Sequence, residues 1–110
     1  MNAYPLSPLI QKYFEAFINK DLKVIEGIIS ENVSLKDWSA IAVGKKDVLD
    51  MFANIFKTFH KIDVHILSSI DNGAKSAVEM LIYLDDINIK VVDIITYTEN
   101  FISEISAYKQ

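Results

Sequence analysis

From about residue 61 onward the hydrophobic period of this chain changes, and the change sets a mainly helical part before a strand part. Before that point apolar residues recur about every 3.6 positions outside one short alternating stretch at 33–38, and after it they recur every second position. A helical layer followed by a sheet layer is an α+β architecture, in which the sheet covers the helices with one face.

The helical part can be read element by element. Ser7-Pro8 has the form of an N-cap followed by a proline at the first helical position. Leu9, Ile10, Tyr13, Phe14, Phe17 and Ile18 follow at helical spacing and predict an amphipathic helix of about three turns. Asp21 can cap a second helix whose buried stripe is Leu22, Ile25, Ile28 and Ile29, with Asn32 as its end. Residues 33–38 alternate apolar and polar and predict a short strand. Gly44 precedes a third helix over 45–59, with Val48, Leu49, Phe52, Ile55, Phe56 and Phe59 as its stripe. Asp47 lies in its first turn, where the helix dipole favours a carboxylate.

Beyond residue 61, strands are predicted over 62–70, 75–84, 87–98 and 101–108. Asp71-Asn72-Gly73, Asp85-Asp86 and Glu99-Asn100 are the turns between them. Short connections make this an antiparallel meander. No linker, repeat or low-complexity segment interrupts residues 1–110, so one domain is expected. In the third of these strands Val91, Asp93 and Ile95 share one face, while Val92 and Ile94 make the other face apolar too. A sheet apolar on both faces needs a second cover, and the simplest is another copy of itself. A homodimer through the outer sheet face is therefore expected.

Composition excludes several classes of function. There is no cysteine, which removes disulfides, thiol nucleophiles and thiolate metal sites. Fifteen acids against eleven bases give a net charge of −4, without the basic face that nucleic acid requires. All the bases are lysines, so the planar fork that arginine offers to phosphates and carboxylates is missing. No apolar run nears the roughly 20 residues that span a bilayer. Met1-Asn2-Ala3-Tyr4-Pro5 has neither a basic n-region nor an apolar h-region, and a cytoplasmic location is expected. His60 and His65 have no arranged third ligand, so no metal is expected.

Three polar residues share parity with the core. Tyr13 lies within the stripe of the first helix. Asp37 alternates with Val33 and Leu35, and Asp93 with Ile89, Val91 and Ile95. An unpaired buried carboxylate is costly and tends to neutralise by raising its pKa. Each residue also has a structural reading: Tyr13 as a core aromatic, Asp37 bonded to loop backbone, Asp93 bonded to a local donor. Together they could form a polar cluster in an apolar pocket. Trp38, of opposite parity to Asp37, fits either the sheet edge or the pocket mouth.

The order of elements resembles the NTF2-like superfamily, particularly its SnoaL-like and ketosteroid-isomerase-like members. The residues that carry the resemblance are Gln11-Lys12-Tyr13, Phe14-Glu15-Ala16-Phe17, Lys20-Asp21-Leu22, the stretch from Asn32-Val33 to Asp37, the Gly44 helix start, and Val92-Asp93. The resemblance implies a cone in which a bent sheet wraps a long helix around a cavity, often as a dimer. In ketosteroid isomerases a Tyr on the first helix and a protonated Asp on a late strand form an oxyanion hole, while a second Asp shuttles the proton. Carried over, Tyr13 and Asp93 are the implied oxyanion pair and Asp37 the implied base, with a small apolar substrate and no cofactor. The alternative is a non-catalytic dimeric pocket protein that binds an apolar molecule or a partner. Dehydratase and cyclase chemistry rank lower, because dehydratase relatives use paired cavity histidines and His65 is the only histidine within a strand.

Overall fold

Ser7 caps the first helix, its Oγ accepting from the Ile10 N–H at 3.4 Å, with Pro8 in the first turn. The computed structural model describes residues 6–110, so the reading of Met1 to Pro5 lies outside the described residues. Helix α1 is Pro8–Ile18. Lys20 then takes a positive φ of 56°, and Asp21 caps α2, Leu22–Ile28, by accepting from the Val24 N–H at 3.2 Å. Gly44, at φ 91°, opens α3, Lys45–Thr58. That angle favours a residue without a Cβ.

Six strands follow the same logic of alternation: β1 Ile29–Lys36, β2 Ile41–Val43, β3 Ile62–Asp71, β4 Lys75–Leu84, β5 Ile87–Tyr97 and β6 Ile102–Lys109. They form one sheet in the order β2-β1-β6-β5-β4-β3. The strands after residue 61 make the expected antiparallel meander. The sheet as a whole is mixed, because β1 runs parallel to β6. Register shifts interrupt β1–β6, β3–β4 and β5–β6. Such bulges bend and twist strands, which lets the sheet curl around the helices.

Two local expectations need correction. Ile29 belongs to β1, not to the second helix, and Asn32 lies inside that strand. Ile29 is fully buried and pairs with Ile102, so tertiary pairing overrides a helical spacing that Ile28 and Ile29 also satisfied. The strand ends at Lys36, which leaves Asp37 and Trp38 just beyond it. The short β2 had no sequence signal; it pairs through Leu35 with Ala42 and Lys36 with Ile41 as the chain returns to α3.

The core lies between the helices and the concave sheet face. Ile10, Phe14 and Phe17 of α1 meet Val48, Phe52 and Phe56 of α3 and the inward strand residues Val78, Met80, Val91, Ile95 and Ile105. On the outward face Leu81, Val92 and Ile94 are half-buried, while Ile70 and Tyr108 are exposed.

Candidate functional site

An apolar cavity of ≈ 70 Å³ lies between α1, α3 and the concave sheet. Tyr13, Asp37 and Asp93 all line it, so the three residues singled out by parity converge on one pocket. The rest of the lining is aliphatic and aromatic, with Phe14, Phe17, Phe52 and Trp38 supplying rings.

Asp93 sits in the middle of β5, paired with Val78 of β4 and Ala107 of β6. Strand alternation turns it inward between Val91 and Ile95, and it is only 6% exposed. It makes no hydrogen bond or ion pair with any described residue. Burial therefore acts unopposed and pushes its carboxyl up to about 7. Among the described residues no enclosed side-chain oxygen lacks a partner, so the unpartnered oxygens of Asp93 must open onto the cavity.

Tyr13 reaches the same space from α1. Its ring is fixed edge-on against Phe14 at 5.0 Å and Phe52 at 6.0 Å, and stacks with Phe17 at 6.4 Å. Burial raises the phenol well above its ordinary value, and the nearby Asp93 charge adds to the rise. Tyr13 is thus both a core aromatic and a cavity hydroxyl held in its protonated form.

Asp37 occupies the rim, half-buried after the end of β1. Its Oδ1 accepts from the Ser39 N–H at 2.8 Å, the Ser39 hydroxyl at 3.0 Å and the Ala40 N–H at 2.9 Å. This is an Asx-type turn, the loop-backbone role weighed for it from the sequence. Its Oδ2 takes no bond from a described residue. Beside it Trp38 is 47% exposed, and Lys109 Nζ lies 5.5 Å from its ring centroid. Trp38 therefore stands at the pocket mouth.

Neither histidine lines the cavity, and His65 is exposed. Among the described residues no group of three or more His, Cys, Asp or Glu side chains could hold a metal ion. Among the described residues no helix is long and apolar enough to cross a membrane.

A second polar cluster was not foreseen. Asp71, read from the sequence as a turn residue, ends β3 and accepts from the Tyr97 hydroxyl at 2.6 Å, the Gly73 N–H at 2.7 Å and the Ser76 hydroxyl at 3.0 Å. Desolvation pushes its pKa up, but the bonds from Tyr97, Gly73 and Ser76 outweigh it and hold the carboxyl below its usual range. Tyr97 shares parity with Asp93, which was the available signal. Met80 and Ala107, also in the cavity wall, could have been found by the parity of Val78 and Ile105.

A family model described as a SnoaL-like domain matches residues 10–105. Among curated proteins none matches the chain. Solved structures share the fold. An NTF2-like protein of unknown function from Cytophaga hutchinsonii aligns with TM-score 0.80 at 11% identity, covering 93% of this chain and 87% of that one. A polyketide cyclase candidate from Sinorhizobium meliloti gives TM-score 0.82 at 16% identity, covering 93% and 94%. A ketosteroid isomerase candidate from Kribbella flavida gives TM-score 0.79 at 16% identity, covering 93% and 75%. At such identities the likeness carries the fold and not the activity.

Proposed function

Because the chain belongs to the SnoaL-like domain family, within the NTF2-like superfamily, we propose that its cavity binds a small, mostly apolar carbonyl compound and moves a proton alpha to the carbonyl. The observation that carries this reading is the pairing of Tyr13 with Asp93: two buried groups, both open to the cavity, both able to donate a proton in hydrogen bonds near neutral pH. Donors fixed in a dry site stabilise charge as it develops on an enolate oxygen. Asp37, through Oδ2, is the proposed base. No cofactor takes part in this scheme.

Cavity size limits the substrate. A water needs roughly 10–15 Å³ of such volume, so ≈ 70 Å³ has room for about five to seven heavy atoms. That suits a single small ring better than a steroid. The test is direct: cyclopent-3-en-1-one is incubated with the protein, and conjugation is followed by ultraviolet absorbance. Conversion above the buffer rate, without added metal or cofactor, is the expected result; no conversion overturns the catalytic reading.

The second reading is a non-catalytic pocket that binds a small apolar molecule. What favours it is the commitment of Asp37 Oδ1 to Ser39 and Ala40, which gives that carboxylate a structural task. Under either reading the protein is proposed to work as a homodimer through its outer sheet face. The cytoplasm is the proposed location, in keeping with a cysteine-free composition.

A further inference from the structure

We infer that the cavity is also a receptor for a small hydrophobic ammonium ion, because aromatic rings and two carboxyl groups line it, and among the described residues no basic side chain lines it and none partners the buried Asp93. This goes beyond the proton-transfer reading and does not depend on it.

The argument begins with what Asp93 lacks. A carboxylate in an apolar site is costly unless a cation or several donors face it. The elements packed against Asp93 supply neither. From α1 the only titratable group is the Tyr13 hydroxyl. From α3 the cavity receives Phe52 and Ile55, from β4 Met80 and Ile82, and from β6 Ile105 and Ala107. From the end of β1 it receives a second acid, Asp37. At the mouth Lys109 is held over the Trp38 ring. An anion entering this space meets two acids; a cation meets the charge it lacks.

The rings act in the same direction. Cations are attracted to aromatic faces, most strongly to Trp and Tyr, and desolvation strengthens the attraction. The 5.5 Å approach of Lys109 to Trp38 shows the rim already engaging a cation in this way. Alkylated ammonium ions suit such a site because their methyl groups fill apolar space while the charge is shared by rings and carboxylate. Tetramethylammonium has five heavy atoms, within the room available.

The test is titration of the ¹⁵N-labelled chain with tetramethylammonium chloride, followed by amide shifts around the cavity. The neutral tert-butanol, of similar shape, is the control. Tetramethylammonium keeps its charge at every pH, so any pH dependence belongs to the protein. With the Asp93 carboxyl near 7, its affinity should rise at least tenfold from pH 5.5 to pH 8.5, while that of tert-butanol stays flat. Asp93→Asn should remove the rise; Asp37→Asn should keep it. Equal affinity for the cation and tert-butanol, or no change with pH, would overturn the proposal on the wild type alone. Retention of the pH rise by a folded Asp93→Asn would overturn it too. Because isomerisation is measured separately on the ketone, loss of either result leaves the other standing.

Discussion

The Tyr97 hydroxyl donates to Asp71 Oδ1 at 2.6 Å and so ties β5 to the end of β3. Asp71 therefore sits among donors, while Asp93, four residues before Tyr97 on the same strand face, has none among the described residues. The two carboxyls respond in opposite senses: Asp71 is held low and Asp93 is pushed high. Hydrogen bonding to the charged form decides the first and burial decides the second.

Tyr97→Phe should cost on the order of 1 kcal/mol at neutral pH, since solvent screens the exposed Asp71 carboxylate and weakens a bond that would be worth more if buried. The folded pKa of Asp71 is depressed, so its contribution is present above the unfolded value and is lost as pH falls through the folded one. The gap between wild type and Tyr97→Phe should then narrow in acid. Urea unfolding at pH 7 and pH 3 measures it, and identical midpoints at pH 7 would contradict the role given to this bond.

Asp93 should behave the other way. Its folded carboxyl, near 7, binds protons more tightly than the unfolded one at about 3.8. Its contribution is fully present below the unfolded value, and stability falls as pH rises from about 4 to 7, then levels. Asp93→Asn should flatten this limb and exceed wild type in stability at pH 8, with no gain near pH 3. Carboxyl-carbon NMR gives the midpoint directly; ionisation complete by pH 5 would refute the assignment.

The outer face carries the oligomerisation prediction. Cross-strand register sets Ile70, Ala77 and Ile94 in one row and Glu79, Val92 and Tyr108 in the next. Glu79 is already matched to Lys90 at 3.4 Å and to Ser68 at 3.0 Å, so its charge does not prevent an apolar contact. Sedimentation equilibrium at micromolar concentration should report twice the 12.5 kDa chain mass. Ile94→Asp should return it to the monomer, since a carboxylate buried without a partner is strongly unfavourable. A wild-type monomer at that concentration removes the dimer.

Much of this was legible in the chain because local rules and tertiary packing agree. Ser7, Asp21 and Gly44 each mark a helix start that forms, and the alternation after residue 61 gives four strands in place. Asp93 was found because period-2 parity turns a side chain toward the core wherever a strand is regular. Disagreement arose where two periods overlap. Ile28 and Ile29 fit both a helix stripe and a strand, and only the distant Ile102 decides between them. The parallel pairing of β1 with β6 leaves no local trace, and neither does the three-residue β2. Asp71 was hidden because only the register after the bulge in β3 sets it opposite Ser76, within reach of Tyr97, and a turn residue gives no local sign of that.

The proposed chemistry makes the sharpest demand on the three cavity residues. Asp37→Asn should lower isomerisation by roughly two to four orders of magnitude, the worth of a positioned base. Asparagine keeps an oxygen for the Ser39 and Ala40 bonds, so the turn should survive and the loss should report the missing base rather than a broken rim. Tyr13→Phe should cost on the order of a hundredfold, as for one oxyanion donor, while its ring keeps the contacts with Phe14 and Phe52. Circular dichroism should show both variants folded. Phenol, with seven heavy atoms, should bind Asp37→Asn more tightly than wild type: its phenolate resembles the enolate, and the neutral asparagine no longer repels it. If wild type turns over no small cyclic enone and phenol affinity is the same in both proteins, then Asp37 is a turn residue and the cavity only binds.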